Sequence, residues 1–474
     1  MTLKGRRPAD RRVRVERVRP MEFHVAPSGR VRKPRSPSAV LILGFASLIV
    51  VGTAILMLPV SSAAGTWSTP LDALFTATSA VCVTGLVVVD TGTYWSPFGH
   101  VVIAVLIQTG GFGFMTGSTL LLFVLVGRRT GLRDRILVQA STGVPQLGEV
   151  TTLLRRIAVF TIAAELTGAA LLAVVFAGEG FAWGQAAWWG VFHSVSAFNN
   201  AGFDLTGDFR SITAYATNPL LLAAIGLLIV LGGLGFAIVG DAVTKRRWSR
   251  FALETRIVLL TTVVLLVLGT VTTAAFEWSN PATLGRLPEN HRGLNALIQS
   301  VTYRTAGFAA IDPGGLTEAG LFVGMALMFI GAASGSTAGG IKVNTFSVLL
   351  ASIISTARGR RSTEAFGRRI PDVIVFRALS VALLAVAVVF GVALLLEVLA
   401  PDHSFVDILF EAVSAFGTVG LTTGITPAMP DAAQLVLICG MFIGRLGPLT
   451  LVLALAARSR GSSVRPASES MRIG

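Results

Sequence analysis

Long apolar runs alternate with short polar stretches along most of the chain. The longest cover Ala39 to Val60, Val101 to Val126, Ile157 to Ala177, Pro219 to Val239, Ile257 to Phe276 and Leu379 to Leu399. Each is close to the roughly 20 apolar residues a helix needs to cross a bilayer. Between the long runs lie shorter segments of a second kind. They begin as amphipathic helices, turn small or polar, and close on a glycine followed by Phe or Leu. The pattern predicts an all-α membrane protein in which spanning helices bracket short helices that enter the membrane and turn back.

Charge fixes the direction of the spans. Basic residues cluster at Arg128, Arg129, Arg133 and Arg135, at Lys245, Arg246, Arg247 and Arg250, at Arg358, Arg360, Arg361, Arg368 and Arg369, and at Arg458, Arg460 and Arg465. By the positive-inside rule all of these face the cytoplasm, so the chain crosses an even number of times between clusters. Two crossings per interval give eight spans, with both termini inside the cell and the chain resident in the cytoplasmic membrane. The stretch from Lys4 to Arg35 is densely basic. Beside a membrane protein it reads as a cytoplasmic tail near anionic lipid and not as a nucleic-acid arm. Charged residues make up only 14% of the chain, against about a quarter in soluble domains, which excludes an ordinary globular enzyme.

The short segments are repeats of one another. They run Leu71 to Leu86, Trp188 to Phe203, Leu294 to Phe308 and Val406 to Leu421, and their glycines are Gly85, Gly202, Gly307 and Gly420. A spacing of about 110 residues, held three times, is architectural evidence of the strongest kind. A second echo follows each: Gly110, Gly111 and Gly113; Gly232, Gly233 and Gly235; the stretch Gly331 to Lys342; and Gly444, Arg445 and Gly447. The unit is therefore helix, re-entrant helix, glycine-bearing loop, helix. The corresponding divisions are 1–38 (basic tail), 39–128, 129–248, 249–362 and 363–458 (four repeats), and 459–474 (C-terminal tail).

Extended backbone inside hydrocarbon is tolerated only where protein buries it or it lines a water-filled cavity. Four such loops about one axis would present rings of carbonyl oxygen, which replace the hydration shell of a monovalent cation. Glycine suits such a loop because it accepts positive φ. The C-terminal end of each short helix adds partial negative charge. A single glycine would more simply serve helix packing, but four in matched contexts point to an ion filter.

Other residues carry less specific signals. Arg445 lies deep in apolar sequence, where a charge must face a cavity or partner. The glycine-rich stretch from Gly331 to Gly340 is a poor helix former and should break its span, placing a loop beneath the filter that gates permeation, with Arg445 as an electrostatic barrier. Glu165 is intramembrane and reads first as a structural partner of a buried donor, with ion coupling as the second reading. Asp72 lies in the first turn of a short helix, where capping is the simple reading; Asp72 and Glu411 would also concentrate cations at the mouth. Cys82 and Cys439 are too far apart in sequence to suggest a framework, and His24, His100, His193, His291 and His403 form no ligand spacing. Gly335 to Lys342 approaches a phosphate-binding loop, but Ile341 separates glycine from lysine, where the motif needs them adjacent.

The segments Thr78 to Thr91, Ala197 to Leu205, Thr302 to Phe308, Ser334 to Lys342 and Ile443 to Leu451 together resemble the Trk/Ktr/HKT superfamily of potassium transporters, most closely the ion-conducting membrane subunit of the Ktr type. The resemblance spans about Ala39 to Ala457. It implies four M1–P–M2 repeats around a central pore: eight transmembrane helices plus four re-entrant pore helices. It implies ion-binding loops at Val83, Thr84 and Gly85; Asn200, Ala201 and Gly202; Thr305, Ala306 and Gly307; and Thr418, Val419 and Gly420. Glycine in all four goes with selectivity for potassium, which is cargo; sodium is the competing or coupled ion. The resemblance implies a gate of Ser334, Gly335, Ser336, Thr337, Ala338, Gly339 and Gly340, with Lys342 and Arg445. It further implies a homodimer on a cytoplasmic nucleotide-binding regulatory subunit of the ATP/ADP or NAD type, no organic cofactor on this chain and no enzymatic activity. One departure is Gly331 to Ser334, where relatives carry a Gly-Gly-Ser-Pro-like run. The competing readings are a sodium-selective member of the superfamily and a secondary transporter for another solute, which would show two inverted repeats.

Overall fold

The computed structural model describes residues 37–127 and 149–447. The two tails and the basic clusters at Arg128 to Arg135 and Arg458 to Arg465 lie outside the described residues. The regular elements of the described residues are helices and one hairpin of two short strands, β1 (Glu364–Ala365) with antiparallel β2 (Arg368–Arg369). In chain order the helices are α1 (Pro37–Leu56), α2 (Pro70–Cys82), the single turn α3 (Thr91–Tyr94), α4 (Pro97–Gly127), α5 (Glu149–Gly178), α6 (Trp183–Phe198), α7 (Pro219–Lys245), α8 (Leu253–Glu277), α9 (Glu289–Thr302), α10 (Glu318–Phe329), α11 (Val343–Ala357), α12 (Asp372–Leu399), α13 (Phe405–Gly417) and α14 (Asp431–Leu446).

By length and composition, four described helices can cross a membrane: Leu154–Gly178, Pro219–Lys245, Leu253–Glu277 and Asp372–Leu399. Shorter apolar helices run Leu41–Leu56, Pro97–Gly113, Glu318–Phe329 and Val343–Ala357. The apolar run expected to Val60 stops as helix at Leu56, because Pro59 opens a separate turn; a proline inside a helix would remove a hydrogen bond and clash with the preceding turn. The span expected to break between Gly331 and Gly340 does break. Helix α10 ends at Phe329 and α11 starts at Val343.

The short helices α2, α6, α9 and α13 have 13, 16, 14 and 13 residues. At 1.5 Å per residue they are too short for a ~30 Å hydrocarbon core. Their starts are set by local chemistry. Thr69 accepts from the Asp72 amide at 3.1 Å while its hydroxyl donates to the Asp72 carboxylate at 2.6 Å, and Ser404 does the same for Asp407 at 3.2 and 2.6 Å. Asp72 is thus a capping-turn residue at the surface. Each short helix buries one flank against longer neighbours: α2 and α13 share a core with α1, α4 and α14, and α6 packs with α5 and α7.

Candidate functional site

All four short helices end the same way. The residue two before each candidate glycine has left-handed backbone: Val83 (φ 56°), Asn200 (φ 59°), Thr305 (φ 66°) and Thr418 (φ 48°). The glycines Gly85, Gly202, Gly307 and Gly420 follow at φ 94°, 72°, 76° and 91°. A β-branched residue at positive φ is strained and costs about 1–3 kcal/mol, held only where surroundings over-determine it. Three of the four positions are Val or Thr. The same left-handed backbone at matched positions in four separate loops, strained in three of them, marks a constrained geometry.

Serine supplies part of the constraint. The Ser79 carbonyl accepts from the Thr84 amide at 2.8 Å and its hydroxyl from the Gly85 amide at 3.0 Å. Ser414 repeats this for Val419 at 2.9 Å and Gly420 at 3.2 Å. The Ser196 carbonyl accepts from Ala201 at 2.7 Å, and its hydroxyl donates to the Phe203 carbonyl at 2.7 Å. In the third loop Val301 stands in the serine's place, and the Ala306 amide bonds to the Thr302 carbonyl at 3.1 Å instead.

The four loops meet. A Cβ added to Gly85 would lie 3.1 Å from the Gly202 Cα. At Gly202 it would lie 2.7 Å from the Gly307 Cα, at Gly307 3.4 Å from the Gly420 Cα, and at Gly420 3.0 Å from the Gly85 Cα. The backbones therefore close a ring in chain order. Beside each glycine stands the carbonyl preceding the glycine of a neighbouring loop, at Ala201, Ala306, Val419 or Thr84. No side chain fits in this ring, which is why glycine occupies all four places. Twelve candidate residues, Val83 to Gly85, Asn200 to Gly202, Thr305 to Gly307 and Thr418 to Gly420, are brought together and buried.

The glycines of the following helices have a separate role. A Cβ on Gly110, Gly232 or Gly444 would meet the carbonyl of Val81, Phe198 or Phe416, in each case the residue four before the ring glycine. They let α4, α7 and α14 press against the ends of α2, α6 and α13. Close approach of this kind is the usual work of small residues between membrane helices. The broken third span differs, and its connection occupies the space next to the ring. The Ala333 amide donates to the Gly233 carbonyl at 3.0 Å, and the Thr337 hydroxyl to Asn200 Oδ1 at 2.8 Å. A Cβ on Gly339 would strike the Thr418 side chain. Arg445, buried at 1% exposure, donates from Nη1 to the Thr337 carbonyl and from Nη2 to the Gly110 carbonyl at 3.2 Å. Lys342 Nζ donates to the Ala338 carbonyl and to that of Gly339 at 3.4 Å. The residues Ser334 to Gly340, Lys342 and Arg445 thus form one assembly, in contact with loops two and four.

On the far side of the ring a cavity of about 370 Å3 opens, lined by all four ring glycines together with Asp90, Asp204 and Asp312. These three carboxylates were not apparent as a group from sequence, because they lie five, two and five residues beyond their ring glycines. Asp90 caps α3 through the Thr93 amide at 2.8 Å and accepts from the Phe209 amide at 2.7 Å, tying the first loop to the second. Asp204 accepts from the Thr206 amide at 2.9 Å and from its hydroxyl. Burial pushes the Asp204 carboxyl up to about 6, against the lowering effect of the Thr206 bonds.

Two other acidic residues turn out to be braces. Glu411 is fully buried behind the fourth loop, where its carboxylate accepts from the Thr422 hydroxyl, the Thr423 amide at 3.2 Å and the Thr426 hydroxyl at 2.8 Å. This corrects the expectation that it gathers cations at the mouth: α13 points it into its own repeat. His193 of the second repeat, at the matching position nine before the glycine, faces the Leu205 amide at 3.4 Å in the same manner. Glu165 accepts from Asn199 Nδ2 at 3.0 Å, which also donates to Gln108 at 2.9 Å, the structural pairing expected for it.

Short helices that end in matched left-handed loops, set among long apolar helices, are the architecture of a membrane transport protein. The profile of the TrkH family, described as cation transport protein, matches residues 30–464. The chain is 42% identical over 433 residues to the Ktr system potassium uptake protein B of Bacillus subtilis, covering 91% of this chain and 95% of that one. It is 39% identical over the same length, with the same coverage, to the potassium/sodium uptake protein NtpJ of Enterococcus hirae. Its fold matches the potassium transporter TrkH of Vibrio parahaemolyticus with a TM-score of 0.68 at 18% identity, over 90% of this chain and 86% of that one. The chain belongs to the TrkH family of cation transport proteins. It is a membrane transporter and not an enzyme.

Proposed function

We propose that this protein takes up potassium across the cytoplasmic membrane through a carbonyl-lined filter. The observation that carries the reading is the closed ring of Gly85, Gly202, Gly307 and Gly420, with a carbonyl beside each Cα. In this reading 39–128, 129–248, 249–362 and 363–458 are M1–P–M2 repeats about one axis. The loops Val83 to Gly85, Asn200 to Gly202, Thr305 to Gly307 and Thr418 to Gly420 replace the ion's water. The four helix C-termini add favourable potential, and the carboxylates of Asp90, Asp204 and Asp312 raise the local cation concentration before entry.

The connection from Ser334 to Gly340 is the gate on the other side of the filter. Arg445 holds it and places positive charge in the path, and Lys342 stiffens its end. The names of the Bacillus and Enterococcus relatives give potassium, or potassium and sodium, as their cargo, and four glycines without a serine favour potassium here. The similarity to Ktr system proteins supports a homodimer working with a cytoplasmic nucleotide-binding regulatory subunit, with both termini on that side.

The test is growth of a potassium-uptake-deficient bacterium at low potassium, together with flux into liposomes containing the purified full chain. Rescue and potassium flux exceeding sodium flux are expected. Liposomes that pass sodium in preference, or no alkali cation, would refute the reading.

A further inference from the structure

In three repeats, the end of the short helix meets the next span by glycine-to-carbonyl packing, at Gly110, Gly232 and Gly444. The third repeat is the exception. There Arg304, three residues before Gly307 and only 5% exposed, reaches across and donates from Nη2 to the Gly331 carbonyl at 2.6 Å. The matching positions in the other repeats are Cys82, Asn199 and Gly417, none of them charged. None of the ion pairs among the described residues involves Arg304.

Gly331 is the residue at which the third span has just broken. Its amide donates to the Ile341 carbonyl at 2.8 Å, and the Val343 amide donates to the Ala332 carbonyl at 3.0 Å. These bonds draw the two ends of the connection together as a stem. The connection's far point is held elsewhere, by Asn200 and Arg445 through Thr337. In an unbroken helix the Gly331 carbonyl would accept from the amide four residues on. It would then be spent, and a buried guanidinium would lose the one acceptor it has found, an expensive outcome in a water-poor interior.

We infer that Arg304 is a positioning residue that pins the stem of the connection, so that the broken conformation of the third span is held from the filter side at Gly331 while Arg445 holds its middle. The inference rests on the gate reading of Ser334 to Gly340. It differs from that reading in assigning a separate latch to a residue of the filter helix. Arg304 makes the state of the stem depend on the position of the third filter loop, since one side chain belongs to both.

The experiment uses the full-length chain with Cys82 and Cys439 replaced by alanine and a single reporter introduced by Ala338→Cys, reconstituted in liposomes. The rate at which a membrane-impermeant thiol reagent modifies position 338 from the gate side is read together with rubidium flux. In the Arg304→Gln variant, labelling faster by about tenfold and a raised flux are expected. Arg304→Lys keeps a donor of similar reach and is expected to restore labelling to within about twofold of the parent. A folded Arg304→Gln variant with unchanged labelling would overturn the latch. Should the glutamine variant not fold, a folded lysine variant labelled as slowly as the parent supports the latch. The same lysine variant labelled tenfold faster refutes it, because its donor would then be irrelevant. Faster labelling of Arg304→Gln with unchanged flux would keep the latch and defeat the gate reading, so the two failures are separable.

Discussion

The Thr337 hydroxyl donates to Asn200 Oδ1 at 2.8 Å, joining a residue of the second glycine-ring loop to the middle of the connection that interrupts the third span. The same Thr337 presents its carbonyl to Arg445 of the fourth repeat. One residue of the connection is therefore bonded to two other repeats at once. A segment with four glycines has high backbone entropy to lose on ordering, and it stays in place because these bonds, with those of the stem, outweigh that loss. Both partners of Thr337 are buried, so each bond also relieves a desolvation cost that a truncated partner would restore.

Removing the charge on Arg445 should therefore free the connection. Arg445→Gln is expected to raise rubidium flux into liposomes several-fold, since it weakens the hold on Thr337 and removes a positive charge from the proposed path. Thr337→Val, which removes the hydroxyl's bonds to Asn200 Oδ1 and the Phe198 carbonyl but leaves the Thr337 carbonyl to Arg445, should raise flux by a smaller factor. Equal flux in the parent and both variants would show that the connection does not limit permeation.

The ring gives a second prediction, at Gly85. Its backbone is at φ 94°, and a Cβ would stand 3.1 Å from the Gly202 Cα and against the Ala201 carbonyl. Gly85→Ser must strain the loop and displace a neighbour across the ring. Discrimination between potassium and sodium should fall by about tenfold, equivalent to ~1.4 kcal/mol, read from competing fluxes in the same liposomes. Unchanged discrimination would remove Gly85 from the filter.

Gly232 and Gly444 make the complementary case, in which stability and not selectivity should suffer first. Both are helical, so alanine is free of backbone strain, but the new methyl would overlap the Phe198 or Phe416 carbonyl. Overpacking of this sort costs roughly 1–3 kcal/mol. Gly232→Ala and Gly444→Ala should each lower the thermal midpoint in detergent, whereas Gly113→Ala, where a Cβ meets nothing within 4 Å, should leave it in place.

Much of this was legible in the sequence because the repeats are spelled in residues whose chemistry is local. A glycine at the end of Leu71 to Leu86 and of its three echoes announced positive φ, and the run from Gly331 to Gly340 announced a broken helix. What stayed hidden depends on distance in three dimensions. Nothing in the spacing of Asp90, Asp204 and Asp312 says that they share a cavity. Glu411 on a short helix looks like a mouth residue until the turn of α13 carries it behind the loop. Arg304 sits in plain view, yet a lone arginine beside a tyrosine gives no sign that its acceptor is the Gly331 carbonyl, 27 residues away in sequence. The strain at Val83, Thr305 and Thr418 is equally unreadable, since valine and threonine ordinarily signal extended backbone.

The mouth should make uptake sensitive to external pH through Asp204. Its carboxyl is pushed from the usual 3.8 up to about 6 by burial, and the Thr206 bonds only partly offset this. A raised acid pKa means that the native protein binds the proton more readily than the unfolded chain does. The favourable contribution to stability is complete below pH 3.8 and is lost as pH rises through 6, so the ionised carboxylate present at pH 7 is held at some cost. Its return is the negative charge beside Gly202 in the cavity. Acidifying the outside from pH 7.5 to 5 should neutralise that charge and lower rubidium influx, with a midpoint near 6. Asp204→Asn should flatten the profile and hold influx near the low-pH level throughout. Influx into liposomes carrying the parent or the variant, with the cavity side alone titrated, checks both statements. A parent profile without an inflection between pH 5 and 7 would mean that Asp204 stays ionised or that its charge does not reach the entering cation.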